Sequence, residues 1–234
     1  MTILDIPGVS NLRDVGGIPV GTARVRHGAL LRSGQLARLT PAGASALEER
    51  VQRVVDLRDE TEVRAEPSAL RSVATTHIPL FLGSVGSFFE QDMDLERMYR
   101  HLVDDSASRL VEAVRVIASG EPTLVHCTVG KDRTGVTVAL ALSAIGADRD
   151  AVIADYALTA SQLPAERNRA IIAYFRANMP DARNAIQLAT ESPAPVMAAL
   201  LADIDQRHGS AAAYLQGAGL TDAELDALRN ALID

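Results

Sequence analysis

Residues 126–134 constrain this chain most, because they place one cysteine, five further residues, an arginine and a hydroxyl residue in the order His-Cys-Thr-Val-Gly-Lys-Asp-Arg-Thr. Residues 123–125 have the pattern of a short buried strand, and residues 134–144 have that of an apolar helix. A strand, a tight loop and a helix start direct successive backbone N–H groups into one concave site, with the positive helix end behind it. Such a site binds a tetrahedral dianion and stabilises a thiolate.

The side chains of this segment suit the transfer of a phosphoryl group to sulfur. Cys127 lies where a helix N-terminus and nearby cations favour the thiolate, and Thr134 would donate a hydrogen bond to the sulfur. Arg133 would bind two phosphate oxygens at once, because its planar fork supplies paired donors that lysine lacks. Backbone N–H groups along the loop would supply the other donors to the phosphate, from Thr128, Val129, Gly130, Lys131, Asp132 and Arg133.

Three further polar residues lie in or beside this loop. Lys131 adds a second cation, which we expect at the rim, where it would favour a doubly charged or multiply phosphorylated group. Asp132 is the best candidate for the acid that protonates the leaving oxygen, with a loop-stiffening salt bridge as the alternative. His126 precedes the nucleophile, so we expect a buried histidine that orders the loop rather than a general base. Other acids could lie on a flap: Asp92, Asp94, Asp104 and Asp105.

Composition and charge limit the classes of function. Hydrophobic residues make up 47% of the 234, which predicts a sizeable core, and the net charge of −7 argues against a general nucleic-acid binder. The single cysteine can form neither an internal disulfide nor a multi-thiolate zinc site. Chemistry at a lone thiolate needs no metal and no cofactor, and we assign none.

The N-terminal sequence lacks the basic start and long apolar run of a signal peptide. The longest apolar stretch, residues 136–145, is too short to span a bilayer. We therefore expect no integral membrane segment and a cytoplasmic protein, although export without a cleaved signal would leave no trace in the sequence.

Periodicity predicts an α/β fold in one domain over residues 1–234. Strand patterns occur at residues 18–20, 23–26, 30–32, 53–57, 76–80 and 123–125. Helical patterns occur at residues 41–50, 95–102, 109–118, 134–144, 150–158, 165–178 and 196–206, and a Thr221–Glu224 capping box opens a last helix. Strands followed by crossover helices indicate a central, mostly parallel sheet flanked by helices.

The full motif of residues 126–135 resembles that of the cysteine-dependent protein tyrosine phosphatases. It is most similar to the bacterial branch typified by mycobacterial protein tyrosine phosphatase B. Residues 11–17, 31–36, 55–58, 154–156 and 209–220 also match that branch, so the resemblance covers nearly the whole chain. It implies a tyrosine phosphatase-like fold with Cys127 as nucleophile, Arg133 as phosphate clamp, and Lys131 and Asp132 broadening substrate range and donating a proton. It also implies a helical lid over the site at roughly residues 163–184.

The activity implied by the resemblance is hydrolysis of phosphotyrosine, and also of phosphoserine, phosphothreonine or phosphoinositide monoesters, through a phosphocysteine intermediate. The partner would be a phosphorylated protein or a phosphoinositide substrate. Two other functions remain open: a catalytically silent reader of phosphorylated molecules, and sulfur transfer or arsenate reduction on a similar loop. The reader would not need both Cys127 and Arg133, and reduction usually recruits further cysteines, which this chain lacks.

The matching segments outside the loop contain charged residues with two interpretations. They would form either an ion-pair network behind the loop or direct substrate contacts: Arg13, Asp14, Arg32, Asp56 and Arg58. A second group would either pack under loops or line the mouth of the site: Met93, Met98, Phe88 and Phe89.

Overall fold

The fold is built around a mixed β-sheet, seen in a computed structural model that describes residues 1–80, 92–181 and 183–234. Within these residues the sheet has six strands, and its spatial order is β1 (Thr2–Ile3), β2 (Arg13–Asp14), β5 (Leu30–Ser33), β8 (Thr123–His126), β6 (Arg53–Asp56) and β7 (Ala74–His77). The last four strands in this order pair in parallel, and the first two are antiparallel. The predicted mostly parallel sheet is confirmed. Strands β3 (Pro19–Val20) and β4 (Ala23–Arg24), which fall on two of the predicted strand patterns, pair antiparallel as a separate hairpin.

Helices cover both faces of the sheet. In chain order they are α1 (Pro41–Glu48), α2 (Glu60–Ala65), α3 (Leu95–Asp105), α4 (Ala107–Ile117), α5 (Asp132–Ala144), α6 (Arg149–Gln162), α7 (Ala165–Asn178), α8 (Ala185–Thr190), α9 (Ala194–His208), α10 (Ala211–Gly217) and α11 (Asp222–Leu232). Alternate residues of the central strand β8 pack on opposite faces of the sheet. Leu124 lies in the hydrophobic cluster that contains Leu47 of α1, and Val125 lies in the larger cluster with α4 and α5. This alternation follows from the two-residue period of a strand.

Strand β8 lies at the centre of the parallel part, between β5 and β6, and its end defines the position of the site. His126 is in register with Ser33 of β5 and with Asp56 of β6. The loops that follow these three parallel strands therefore emerge at one edge of the sheet. That edge, outside the carboxyl ends of the strands, is where open α/β sheets usually bind ligands.

Several boundaries differ from the sequence prediction for physical reasons. Helix α5 begins at Asp132 rather than at residue 134, because its first turn is polar and contributes nothing to the apolar period. Strand β7 ends at His77 rather than at residue 80. The short helices α2, α8 and α10 were not predicted, since six or seven residues cannot show a clear helical period. The prediction of one domain over residues 1–234 stays a prediction.

No helix among the described residues is both long enough and apolar enough to cross a membrane.

Candidate active site

The loop after β8 is held by hydrogen bonds to its carbonyl oxygens. Asn11 Nδ2 donates to the carbonyls of Val129 (2.9 Å) and Gly130 (3.0 Å), and the Gln35 N–H donates to that of Thr128 (3.0 Å). The N–H groups of residues 128–132 find no acceptor among the described residues. With its carbonyls bound on the outside, the loop can present these N–H groups to an anion.

Gly130 is required where the loop turns. Its φ of +71° lies in the left-handed region, and a Cβ at this position would lie 2.3 Å from the Ser33 carbonyl oxygen. Any side chain would therefore push the loop away from β5 and strain its backbone. Both the backbone conformation and the lack of space therefore explain why a glycine stands at the turn.

A buried ion triad lies behind the loop. Asp155 of α6 accepts from Arg13 Nε (2.7 Å) and from Arg32 Nη1 (2.5 Å), and all three side chains are at most 2% exposed. Arg32 Nη2 also donates to the Gly130 carbonyl (2.8 Å). Burial favours the neutral form of Asp155, but the two guanidinium groups outweigh it and lower its pKa. The triad therefore braces the loop from the core side.

The other charged residues from the matching segments also have structural partners. Arg58 is bound to Asp56 (2.7 Å) and donates to the Glu66 carbonyl (2.7 Å). Asp14 accepts from the N–H groups of Gly16 and Gly28, both in the segment between β2 and β5. Of the residues described, none of the five from these segments lines the cavity at the loop: Arg13, Asp14, Arg32, Asp56 and Arg58.

His126 is fully buried, and its Nδ1 lies 3.2 Å from the Cys127 carbonyl oxygen. Burial lowers its pKa, because desolvation of the cation outweighs the attraction of Asp56. The ring lies on the strand side of the nucleophile and does not line the cavity. This geometry agrees with a loop-ordering role and leaves no path for general base chemistry.

Cys127 lines a cavity of about 240 Å³, although the residue as a whole is only 2% exposed. The floor consists of the loop residues, and the other walls come from helices on either side. Met98 of α3 contributes one wall, and α7 and α8 contribute the roof through Arg167, Ile171, Tyr174, Phe175, Leu188 and Ala189. The range predicted for a lid contains α7, whereas α8 follows it. A lid movement stays a prediction.

Glu62 of α2 is a site residue that the sequence interpretation missed. Its carboxylate binds both ends of the Arg133 fork, with Nη1–Oε2 and Nη2–Oε1 distances of 2.6 and 2.8 Å, and it accepts a hydrogen bond from Thr128 Oγ1. Burial opposes ionisation, but the bonds from Arg133 and Thr128 dominate and lower the Glu62 pKa to about 2. The only sequence signal was the Asp59–Glu62 capping box of α2, which indicates a helix start and not a site.

Asp132 and Lys131 form a pair at the start of α5. Lys131 Nζ donates to Asp132 Oδ1 at 2.6 Å, and both residues line the cavity. The expectation that Lys131 lies at the rim is wrong: its side chain is 1% exposed, because it folds back onto the neighbouring carboxylate. The Asp132 side chain is 19% exposed and so remains open to the cavity.

The alternative acids are all engaged elsewhere. Asp94 caps α3, Asp104 pairs with Arg207, and Asp105 lies 3.4 Å from His101. Asp92 accepts from the Asn184 N–H at 2.7 Å. None of these four lines the cavity as far as the described residues form it, so Asp132 is the aspartate that the geometry places beside Cys127.

Two further expectations concern Thr134 and the residues at the mouth of the site. Thr134 Oγ1 is buried and bonds to no described residue, so the expected hydrogen bond to Cys127 is not formed here. Thr134 is the third residue of α5, and the helix fixes its side-chain direction. Met98 lines the cavity and Met93 is buried in the core, whereas Phe88 and Phe89 lie outside the described residues.

Comparison with known proteins establishes the family. The sequence model described as the tyrosine phosphatase family matches residues 4–234. The chain belongs to the tyrosine phosphatase family. It is accordingly a cysteine-dependent phosphatase, a phosphoric monoester hydrolase that acts on phosphorylated molecules.

Individual relatives agree with this family membership. The chain is 28% identical to the triple specificity protein phosphatase PtpB of Mycobacterium tuberculosis, with both chains fully covered. It is 32% identical to a putative tyrosine-protein phosphatase of Cupriavidus necator over 90% of this chain and 81% of that protein. Among solved structures, the core catalytic domain of the PP-IP phosphatase SIW14 of S. cerevisiae aligns with a TM-score of 0.40 and 14% identity, over 75% of this chain and 98% of that one.

Proposed function

We propose that this phosphatase acts through a phosphocysteine intermediate on Cys127. The thiolate sulfur attacks phosphorus, the bond from phosphorus to the leaving oxygen breaks, and Asp132 gives that oxygen its proton. Water then attacks phosphorus, the phosphorus–sulfur bond breaks, and the Asp132 carboxylate accepts a proton from the water. Inorganic phosphate, the free alcohol or phenol, and the original thiolate are the products.

The observation that carries this proposal is the shared cavity. Cys127, Asp132 and Arg133 line one space of about 240 Å³, and the loop beneath them has its carbonyls bound on the outside. A nucleophile, an acid and a cation are thus the groups that a phosphate would meet on entering. Each has the chemistry that one part of the reaction requires.

Arg133 would stabilise the proposed transition state, because the plane of its guanidinium group is already fixed. The two parallel bonds to Glu62 hold the guanidinium against the loop, and they raise its pKa despite its burial. Because the Glu62 pKa is about 2, this pair persists at every pH where the enzyme would work. Little reorganisation of Arg133 is then needed when charge develops on the equatorial oxygens.

We propose a substrate range that extends beyond phosphotyrosine to phosphoserine, phosphothreonine and phosphoinositides. Lys131 supports this, because it adds a second cavity cation beside Arg133 and would help to bind strongly anionic head groups. The PtpB relative, which is named for triple specificity, supports it as well. Phosphorylated proteins and lipids would be the partners, and the cytoplasm would be the site of action.

A side-by-side substrate panel tests this range. Phosphate release should occur from a phosphotyrosine peptide, a phosphothreonine peptide and a short-chain phosphoinositide, in buffer containing a metal chelator. Turnover of the phosphotyrosine peptide alone would restrict the enzyme to tyrosine. Tight binding of all three without any release would instead favour the silent reader.

Asp132→Asn should reveal the acid through the leaving group. With phenyl phosphate, whose leaving phenolate needs a proton, we expect kcat to fall about 100-fold, whereas 2,4-dinitrophenyl phosphate should lose only a few-fold. Asp105→Asn is the matched control, because this exposed carboxylate was an alternative acid and lies outside the cavity. Equal losses on both esters in the Asp132 variant would contradict its role as acid.

A further inference from the structure

Two buried phenols form a hydrogen-bonded chain that ends on Asp132. The Tyr99 hydroxyl of α3 donates to Asp132 Oδ1 at 2.7 Å, and the Tyr156 hydroxyl of α6 lies 2.7 Å from that of Tyr99. Both tyrosines are fully buried, and their rings pack edge to face with centroids 5.9 Å apart. Two separate helices therefore hold this chain in one orientation.

The donor and the acceptor in each of these two hydrogen bonds can be assigned. A tyrosine hydroxyl has a single proton, and Tyr99 gives its proton to Asp132, so Tyr156 must donate to Tyr99. Burial, together with the negative charge of Asp132, raises the pKa of both phenols. Both hydroxyls consequently remain neutral donors, and both hydrogen bonds are donated in the direction of the Asp132 carboxylate.

The two oxygens of Asp132 are thereby made unequal. Oδ1 accepts from Tyr99 and from Lys131 Nζ, at 2.7 and 2.6 Å. Oδ2 has no donor within the described part of the chain, while Asp132 itself lines the cavity. A proton shared with a leaving group would then be carried on Oδ2.

We propose that Tyr99, supported by Tyr156, is a positioning residue that occupies Oδ1 of Asp132 and so reserves Oδ2 for proton exchange with the substrate. The inference rests on the proposed role of Asp132 as the acid. Tyr99 does not line the cavity and acts only through the carboxylate. Lys131 alone would not fix this orientation, because its long stem is flexible, whereas the phenol is held by ring packing.

The groups around Asp132 allow positioning to be separated from charge. Lys131 and Arg133 face it from the loop and α5, Arg167 from α7, and the neutral phenols from α3 and α6. Removing the Tyr99 hydroxyl leaves the charged groups in place and takes away only the neutral donor to Oδ1. The expected loss is therefore one of orientation, and it should be largest for an ester whose leaving group needs a proton.

The experiment measures kcat and KM for Tyr99→Phe with phenyl phosphate and 2,4-dinitrophenyl phosphate. We expect about a tenfold loss of kcat on the phenyl ester, a smaller loss on the dinitrophenyl ester, and little change in KM for either ester. Tyr156→Phe, a second variant should the first fold poorly, should show the same dependence on the leaving group with a smaller loss. Tyr214→Phe is the matched control: its buried hydroxyl donates to the Val103 carbonyl at 2.6 Å, so its loss should create no dependence on the leaving group.

A double variant separates this inference from the proposed function. In an Asp132→Asn background, Tyr99→Phe should cause no further loss on phenyl phosphate, because both changes act on one group. Additive losses, or equal losses on the two esters in a folded Tyr99 variant, would overturn the positioning role and leave the acid assignment intact. If Asp132→Asn shows no dependence on the leaving group, the acid assignment itself fails and the inference fails with it.

Discussion

Cys127→Ser should lose turnover by about 10⁴-fold or more while still binding inorganic phosphate. The hydroxyl of serine is not ionised at neutral pH, so no nucleophile would be present to attack phosphorus. The loop should keep its shape, because the bonds to its carbonyls come from Asn11, Arg32 and Gln35 and not from Cys127. Stopped assays of phosphate release and calorimetric titration with inorganic phosphate measure the two effects.

The loss of turnover and the retained binding of phosphate are tested separately. Turnover within about tenfold of the unmodified enzyme would reject nucleophilic catalysis by this sulfur. A folded variant that no longer binds phosphate would show that the loop alone does not form the anion site. A rise in melting temperature on adding phosphate provides an independent measure of binding.

Asp155→Asn should lower the free energy of unfolding by about 3–5 kcal/mol, because it leaves two buried guanidinium groups without their counter-charge. For a chain of this size the melting temperature should fall by about 10 °C. Turnover should fall too, since Arg32 holds the Gly130 carbonyl as well as Asp155. Thermal unfolding followed by circular dichroism, together with kcat, measures both losses.

An exposed ion pair supplies the control for this variant. Asp226 accepts from Arg229 at 2.8 Å, but their side chains are 68% and 45% exposed, so Asp226→Asn should change stability by at most about 1 kcal/mol. A similar small effect at Asp155 would show that the buried triad contributes little to stability.

The stability gained from Asp155 should also depend on pH. Its pKa is lowered on folding, so its contribution is present above the unfolded value of about 3.9 and is lost as pH falls through the folded value. The gap in stability between the unmodified protein and the Asn variant should therefore be constant near neutrality and shrink only in strong acid. A gap that shrinks between pH 8 and 6, where Asp155 stays ionised, would contradict this assignment.

The sequence predicted the parts of the fold and site that depend on contiguous residues. The loop is a continuous segment between a buried strand and an apolar helix, so its motif and flanks predicted strand β8, helix α5 and the type of turn between them. Helix α7 has the predicted bounds, and the Thr221 capping box marked the start of α11 correctly. In each of these cases the signal lies within one helix or one loop.

The residues that the sequence did not reveal are brought in from distant elements. Glu62 binds Arg133 although it lies 71 positions earlier in the sequence, and Tyr99 binds Asp132 from 33 positions earlier. A glutamate in a capping box and a tyrosine on an amphipathic helix are ordinary in their own segments. Only the register of the parallel strands and the packing of α3 against α5 place them beside the loop, and neither can be read from local pattern.

Asp155 and Tyr156 are consecutive residues of α6, and they act on opposite ends of the same loop. Asp155 reaches the Gly130 carbonyl through Arg32, and Tyr156 reaches the Asp132 carboxylate through Tyr99. A small rotation or slide of this one helix would consequently disturb anion capture and proton delivery together. Affinity for the anion and efficiency of proton transfer are thus mechanically linked properties, and a change at α6 cannot adjust either of them independently.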